Sequence, residues 1–170
     1  MPKLRDVVRM SEQEVESFLD SSLTGVLTTL SKGGWPHSTA MWFVVDAAER
    51  RIRMWTYAKS QKAVNLRRDP RCSFLVERGT QYLELKGVLI RARVDIVDGL
   101  EDVGRIGKDL YRRYVDSNGG DPRGPALDEI ERQARKRVGL TIGLDRVTSW
   151  DHAKLGSSPY ESPVGREEKA

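Results

Sequence analysis

Residues 56–71 read TYAKSQKAVNLRRDPR, and this stretch is the most informative part of the sequence. Thr56 ends a strand pattern, and Ser60 is a typical N-cap for a short helix. That helix should run through Leu66 and stop at Asp69-Pro70, because proline disfavours helical geometry in the residue before it. The sequence therefore predicts a strand that leads directly into a short, basic helix.

The start of this helix carries hydroxyl, amide and ammonium groups. A helix N-terminus presents unpaired backbone N–H groups and the positive end of the helix dipole, so it is suited to bind a phosphate. The candidate phosphate ligands are Thr56, Ser60, Gln61, Lys62 and Asn65. A capped basic surface helix without any ligand would have the same pattern, so the motif alone leaves both interpretations open.

Alternating apolar patterns on both sides of this stretch predict β-strands. Ser11 and Glu14 form a capping-box signature for an N-terminal helix, and further helices are predicted at 101–116 and 128–137. Short strands joined by tight turns, with a few helices outside, predict a small antiparallel β-barrel. The predicted strands are 25–30, 36–46, 51–56, 72–77, 82–97 with a bend at Gly87, and 140–150.

Length and composition fit a single domain. The chain has 170 residues, of which 38% are hydrophobic and 32% are charged, which excludes collagen-like and globally disordered chains. Residues 1–155 are expected to form one domain. Glycine, serine, proline and charged residues dominate 156–170, which predicts a mobile C-terminal tail.

Several classes of protein are excluded by what the chain lacks. The longest apolar run, Ala40 to Val45, is far shorter than the roughly 20 residues of a membrane span, and no secretory signal is expected. One cysteine, Cys72, agrees with a reducing cytoplasm. His37 and His152 are the two histidines, so no metal site is predicted. Redox chemistry would have to come from a bound cofactor.

Positive charge is concentrated between Arg50 and Arg71. Eight lysines and arginines stand there against one acid, Asp69, a net charge of +7. Such a segment is typical of binding to a nucleic acid or to a phosphorylated or carboxylated small molecule, and a solvated surface explains it equally well.

Four motifs together resemble one family. They are Gly34-Trp35-Pro36-His37, Met41-Trp42-Phe43-Val44, the 60–71 run, and Ser149-Trp150-Asp151. The chain is similar, from about Ser11 to Trp150, to the split β-barrel flavin and deazaflavin oxidoreductases of the pyridoxamine 5′-phosphate oxidase-like superfamily. Within it, the chain most resembles the actinobacterial enzymes that use coenzyme F420.

The resemblance implies a mainly β fold with flanking helices, a split antiparallel β-barrel, and a homodimer with cofactor sites in the subunit interface. It implies that Thr56, Ser60, Gln61, Lys62 and Asn65 bind the phosphate. It also implies that Tyr82 reaches the cofactor from the partner subunit, and that Lys59, Arg67 or Arg68 meets the acidic tail of the deazaflavin. The residues that the resemblance assigns to the ring system are Thr39, Ala40, Met41 and Trp42.

Departures from the vitamin B6 oxidases argue against pyridoxamine phosphate oxidation. Thr39 and Val44 stand where those enzymes have arginine and lysine, Gln61-Lys62 replaces Arg-Lys, and the C-terminal Arg-x-His motif is missing. We therefore expect a soluble F420-dependent oxidoreductase that passes a hydride to an electrophilic small molecule such as a quinone, enone or tetrapyrrole.

Other hypotheses remain open at this point. The same fold with FMN as cofactor is one, and a non-catalytic module that binds a cofactor or a nucleic acid is another, with nucleic acid the less favoured ligand. His37 and Tyr82 are candidate proton donors, with solvent as the competing donor.

Overall fold

The computed structural model describes residues 3–116, 118 and 120–156; of the predicted tail, 157–170 lie outside the described residues. The helices are α1 (Leu4–Val8), α2 (Glu12–Asp20), α3 (Gln61–Arg68), α4 (Leu100–Tyr114) and α5 (Pro125–Ala134). The strands are β1 (Gly25–Leu30), β2 (Pro36–Met41), β3 (Val44–Asp46), β4 (Arg51–Tyr57), β5 (Arg71–Arg78), β6 (Lys86–Arg93), β7 (Asp95–Val97), β8 (Arg137–Gly143) and β9 (Val147–Asp151). Two 3₁₀ turns cover Tyr82–Glu84 and His152–Leu155.

The strands form two antiparallel sheets. One has the order β2-β1-β5-β6-β9 and the other β3-β4-β8-β7. Their facing sides enclose a core in which Phe43, Phe74, Leu27, Ile52 and Leu140 are completely buried. The sheets are not joined into one closed ladder, so the predicted split antiparallel barrel, mainly β with flanking helices, is confirmed.

The predicted strand 36–46 is wrong as a single strand. The chain leaves the five-stranded sheet after β2 and enters the four-stranded sheet at β3, so the break falls at Trp42-Phe43. Phe43 is fully buried, and its backbone N–H and C=O both bond the hydroxyl of Tyr114, at 3.0 and 2.7 Å. Those bonds occupy backbone groups that a continuous strand would use for pairing.

The other two long predicted strands also divide between the sheets. Residues 82–97 form a 3₁₀ turn, β6 and β7, and the break at Val94 is fixed by a bond from its N–H to Pro70 O at 2.8 Å. Residues 140–150 belong to β8 and β9, one in each sheet. The hydrophobic alternation continues through these corners, because the chain stays beside the same core when it changes sheet.

The sequence indicates a bend or bulge at Gly87, and the structure has no bulge there. Gly87 pairs in regular register with Glu77 and Trp150. A Cβ at Gly87 would lie 2.3 Å from the indole of Trp150, so the glycine is required by the close approach of that ring.

Helix boundaries follow local capping. Ser11 and Glu14 form both bonds of the predicted capping box, and Ser60 caps α3 as predicted. The helix predicted at 128–137 begins earlier because Pro125 stands in its first turn, and it ends at Ala134, so Arg137 opens β8 instead. The short helix α1 was not predicted. No helix within the described ranges is long and apolar enough to cross a membrane.

The helices leave one sheet face uncovered. Helix α4 packs on β3, β4 and β8, α5 on β8 and α4, and α3 on β1. The outward side of the five-stranded sheet, which carries Ala40, Val26, Leu75 and Leu89 in neighbouring strands, is exposed or half-buried.

Candidate cofactor-binding site

The junction of β4 and α3 gathers three of the predicted phosphate ligands. Ser60 Oγ accepts a bond from the N–H of Ala63 at 3.4 Å, which caps the helix. Thr56 Oγ1 lies 3.2 Å from Ser60 Oγ and accepts a bond from Lys62 Nζ at 3.3 Å. Two hydroxyls and an ammonium group therefore converge at the positive end of a helix.

Lys62 carries a charge that no acid compensates. Its ammonium group is half-buried, and in the described part of the chain no carboxylate lies within ion-pair distance. Burial lowers the pKa of Lys62 below its ordinary value, and the positive charge of Arg137 lowers it further. A dianionic ligand would relieve both effects, because it would supply the missing countercharge.

Arg137 is the site residue that the sequence interpretation missed. Its guanidinium lies 4.1 Å from the centre of the Tyr57 ring and 4.6 Å from that of Trp55. The side-chain carbonyl of Gln133 accepts two bonds from it, each at 3.3 Å. The sequence prediction placed Arg137 at a helix end; the signal that could have found it is the pair of aromatics two residues apart on β4.

Gln61 and Asn65 connect α3 to the five-stranded sheet. Gln61 Nε2 donates to Asn65 Oδ1 at 2.9 Å, and Asn65 Nδ2 donates to Thr29 Oγ1 at 3.0 Å. Thr29 Oγ1 in turn donates to His37 O at 3.4 Å. Asn65 is completely buried, so it fixes the helix against β1 and orients the neighbouring groups. Thr29, which holds Asn65, was also missed by the sequence interpretation.

The four residues predicted to line a ring system follow the strand alternation of β2. Ala40 and Trp42 are exposed, Trp42 to 55%, whereas Thr39 is half-buried and Met41 packs in the core. The indole of Trp42 is stacked on the ring of Tyr114 at 4.6 Å with an interplanar angle of 3°. An aromatic platform therefore stands at the end of β2.

Thr56, Ser60 and Lys62 at the start of α3 are called the α3 cluster below. Strand β2 and the α3 cluster are linked through β1, which Asn65 of α3 contacts at Thr29. Thr29 pairs with His37, and Ala40 lies three residues further along β2, about 10 Å away at the usual strand rise.

Tyr82 lies on a 3₁₀ turn and not on a strand. Its ring is 4.7 Å from that of His152, and its carbonyl is 3.1 Å from His152 Nδ1. The turn follows the end of β5, whereas Thr29 pairs with Cys72 near the start of that strand. Within one protomer, Tyr82 is therefore at the opposite end of the sheet from Thr29.

Half of the basic residues in the segment between Arg50 and Arg71 are paired with acids from outside it, and Arg71 is paired with Asp69 inside it. Five arginines of this segment form ion pairs, among them Arg50 with Glu12, Arg53 with Asp46 and Arg67 with Asp98. Arg68 donates to Leu30 O. The run of positive charge in the sequence is therefore not one continuous surface.

The chemistry of the donor set fits a phosphate-bearing cofactor. Lys62 and two hydroxyls converge at a helix N-terminus, and Arg137 lies close enough for its charge to lower the pKa of Lys62. On β2, His37 Nδ1 is buried without a hydrogen-bond partner in the described structure. Within the described ranges, no three histidine, cysteine or acidic side chains are placed to hold a metal ion. Burial raises the pKa of the Cys72 thiol to about 11, so this residue is a neutral thiol near pH 7.

Comparisons with known proteins agree with this geometry. The family model of pyridoxamine 5′-phosphate oxidase matches residues 11–151. The F420H(2)-dependent biliverdin reductase of Mycobacterium tuberculosis (strain CDC 1551 / Oshkosh) is 29% identical over 147 residues, which is 86% of this chain and 100% of that protein.

Solved structures extend the comparison. The crystal structure of conserved hypothetical protein Rv2991 from Mycobacterium tuberculosis is 43% identical, covers 92% of this chain and 94% of its own, and gives a TM-score of 0.82. A protein named F420 reductase is 27% identical, covers 78% of this chain and 94% of its own, and gives a TM-score of 0.58.

Proposed function

The chain belongs to the pyridoxamine 5′-phosphate oxidase family, and on this premise we propose that it is an oxidoreductase that uses the reduced deazaflavin coenzyme F420. Two relatives carry F420 in their names, the biliverdin reductase and the F420 reductase. The departures of Thr39, Val44 and Gln61 from the vitamin B6 oxidase pattern argue against pyridoxamine phosphate as substrate.

One observation carries the proposal. Arg137 lies close enough to Lys62 for its charge to lower the pKa of Lys62, and neither residue has a carboxylate partner in the described structure. Lys62 stands at a helix N-terminus with the hydroxyls of Thr56 and Ser60, and Arg137 lies on the neighbouring strand β8 as the partner of Tyr57. A phosphate with two negative charges matches this set, because charge-assisted bonds from arginine and lysine are the strong ones.

The protein binds and orients the cofactor, and the cofactor carries the chemistry. When bound, the deazaflavin supplies a hydride to an electrophilic acceptor. The α3 cluster holds the phosphate, Ala40 and Trp42 present an outward surface for the ring, and Asn65 keeps α3 against β1. Lys59, Arg67 and Arg68 are the proposed contacts for the acidic tail. The acceptor is a quinone, enone or tetrapyrrole, and the relative that reduces biliverdin supports the last of these.

The functional unit is a homodimer. The outward side of the five-stranded sheet has no helix over it in the described structure and carries Val26, Leu75 and Leu89. Packing of a second copy there would bury these side chains. Tyr82, which lies far from Thr29 within one protomer, would then reach the cofactor from the other subunit.

Ligand titration tests the proposal. Cofactor-free protein is titrated with F420, tail-truncated F420 and FMN, and binding is followed by ligand fluorescence. We expect F420 to bind with micromolar or lower Kd, more tightly than the truncated form or FMN. Lys62→Ala and Arg137→Gln should each weaken binding about tenfold or more, the usual effect of losing a charge-assisted bond. Arg105→Gln, an exposed arginine on α4, is the charge-matched control.

The outcomes separate the rival hypotheses. Tighter binding of FMN would move the chain to the flavin enzymes of the same fold. Binding of neither ligand, with salt-dependent binding of a single-stranded oligonucleotide, would support a non-catalytic module instead. With F420 bound, oxidation of the reduced cofactor by menadione, cyclohexenone and biliverdin distinguishes the three acceptor classes.

A further inference from the structure

A groove of about 940 Å³ lies where the two sheets separate, at the β1–β5–β6 side of the molecule. It is bordered by the start of β4, the end of β8 and the β8–β9 connection. The groove is distinguished by its arginines, which are Arg50, Arg51, Arg71, Arg91, Arg93 and Arg146.

Positive charge in this groove exceeds negative charge. Three acids, Glu49, Asp95 and Asp145, line it against the six arginines. Arg51 lies 3.9 Å from both Glu49 and Asp95, so two of these acids are shared by one arginine.

Three of the arginines have no paired acid. Arg50 is paired with Glu12 of α2, and Arg71 with Asp69 at 2.7 Å. Arg91, Arg93 and Arg146 form no side-chain hydrogen bond or ion pair within the described ranges, although Arg93 contributes to the lowered pKa of Asp69. The charges of these three side chains are available to a ligand.

The strand ladder holds the arginines together. Arg71 and Arg93 are direct cross-strand partners, and Arg91 lies on the same face as Arg93, two residues along β6. The N–H of Arg91 donates to Arg146 O at 3.0 Å, which keeps Arg146 beside them. Like charges that face each other across a sheet destabilise it, so an anion in the groove would offset a cost already present.

Hydroxyl groups continue the arginine face toward β2. Ser73 is the cross-strand partner of both Arg91 and Thr28, and Thr28 Oγ1 lies 2.9 Å from Ser38 Oγ. Thr28 and Ser73 line the groove. A ligand there would meet hydroxyl donors as well as guanidinium groups.

We propose that this groove is a second anion-binding site, separate from the α3 cluster, for a small molecule with at least two carboxylate or phosphate groups. Guanidinium groups pair such anions bidentately. Arg91 and Arg93 are about 7 Å apart along the strand, a spacing that suits two anionic groups of one molecule better than one. The inference does not rest on the proposed cofactor.

Calorimetric titration with citrate and tripolyphosphate tests the site, with sodium chloride at equal ionic strength as reference. We expect both polyanions to bind, and Arg91→Gln/Arg93→Gln to raise their Kd at least tenfold. Arg132→Gln, an exposed arginine on α5 that is paired with Glu129, is the matched control and should change Kd less than twofold.

Arg91 and Arg93 are exposed in the single chain, so the double variant should fold. They lie on the same outward side of the sheet as Leu89, so the groove borders the subunit contact proposed above. The urea midpoint of the double variant should equal or exceed that of the parent, since facing charges have been removed. Unchanged polyanion affinity in the double variant would overturn the proposal, and displacement of the polyanion by saturating F420 would overturn the separateness of the site. Conversion of a dimer to a monomer with unchanged affinity would make the groove a subunit contact and equally overturn it. A failure of F420 binding with polyanion binding intact would contradict the proposed function alone.

Discussion

The positive charge of Lys62 is unfavourable in the free protein and would be stabilised by a bound anion. The pKa of Lys62 lies below the ordinary 10.5, first because burial penalises the charged ammonium group and second because Arg137 repels it. Thr56 Oγ1 supplies one neutral acceptor, which does not replace a countercharge. An anion bound beside Lys62 and Arg137 would raise the pKa again, so binding and protonation are coupled.

The coupling predicts a pH dependence of cofactor affinity. Protonated Lys62 binds the phosphate, so the affinity should fall as pH rises through its lowered pKa, which lies below 10.5. Lys62→Arg stays cationic and should flatten this fall, whereas Arg137→Gln removes the second cause and should move the fall to higher pH. Fluorescence titrations from pH 6 to 10 measure it, and comparison between variants cancels the ligand's own ionisation. Parallel profiles in all three proteins would contradict this role of Lys62.

The same shift has a defined sign for folding. The unfolded chain binds a proton at Lys62 more readily than the folded chain does, so this residue disfavours folding below its folded pKa. Its penalty decreases as pH rises from that lowered pKa toward 10.5, the ordinary value of the unfolded state. Anion binding and high pH therefore relieve the same unfavourable charge.

The pairing of β6 with β9 requires glycine at position 87. Gly87 is buried beneath Trp150, whose indole occupies the space above the backbone. Next to Trp150, Asp151 forms an ion pair with Lys86 at 2.7 Å, and both side chains are largely buried. The edge strand β9 is thus held by a ring that requires glycine and by a charge pair beside it.

A pair of glycine substitutions tests this packing. Gly87→Ala should destabilise the protein by about 1–3 kcal/mol, because the new Cβ would lie 2.3 Å from the indole. Gly104→Ala is the matched control: no atom lies within 4 Å of a Cβ there, and alanine favours a helix by about 0.5–1 kcal/mol. Urea unfolding measures both. Equal stabilities of the two variants would contradict the proposed reason for Gly87.

In the whole molecule, the outward side of the five-stranded sheet is an apolar surface that a second copy of the chain could cover. Ala40, Val26, Leu75 and Leu89 lie side by side through the register of four strands. Helices cover the four-stranded sheet instead, with α4 and α5 packed on it. The unequal covering of the two sheets is the structural argument for a homodimer.

Sedimentation measurements test the assembly. The parent should sediment with twice the chain mass of 19.2 kDa. Leu75→Glu/Leu89→Glu should give a monomer, because two charges would be placed in the proposed contact, and it should also lose cofactor affinity if the site is shared between subunits. Leu100→Glu, at an exposed leucine on α4, should remain a dimer. A parent that sediments as a monomer would contradict the homodimer.

Features that depend on neighbours along the chain were predictable from the residues alone. The capping box at Ser11, the N-cap at Ser60, the end of α3 before Pro70 and the family to which the chain belongs were all predictable. The start of the α3 cluster was also predictable, because Thr56, Ser60 and Lys62 are brought together by one strand-to-helix junction. Local backbone geometry is sufficient for all of these.

Contacts between segments that are distant in the sequence became visible with the fold. Each of three predicted strands contains a corner at which the chain passes from one sheet to the other. The apolar alternation is the same on either side of such a corner, so it did not reveal the break. Arg137 joined Lys62 through the pairing of β4 with β8, and Thr29 joined Asn65 through the packing of α3 on β1. Five arginines of the segment with net charge +7 form ion pairs in the structure. In contrast, Arg91, Arg93 and Arg146 line one groove, although Arg146 is distant from the other two in the sequence. Charge and hydrogen bonding act through space, so their balance follows from the fold and not from the order of residues.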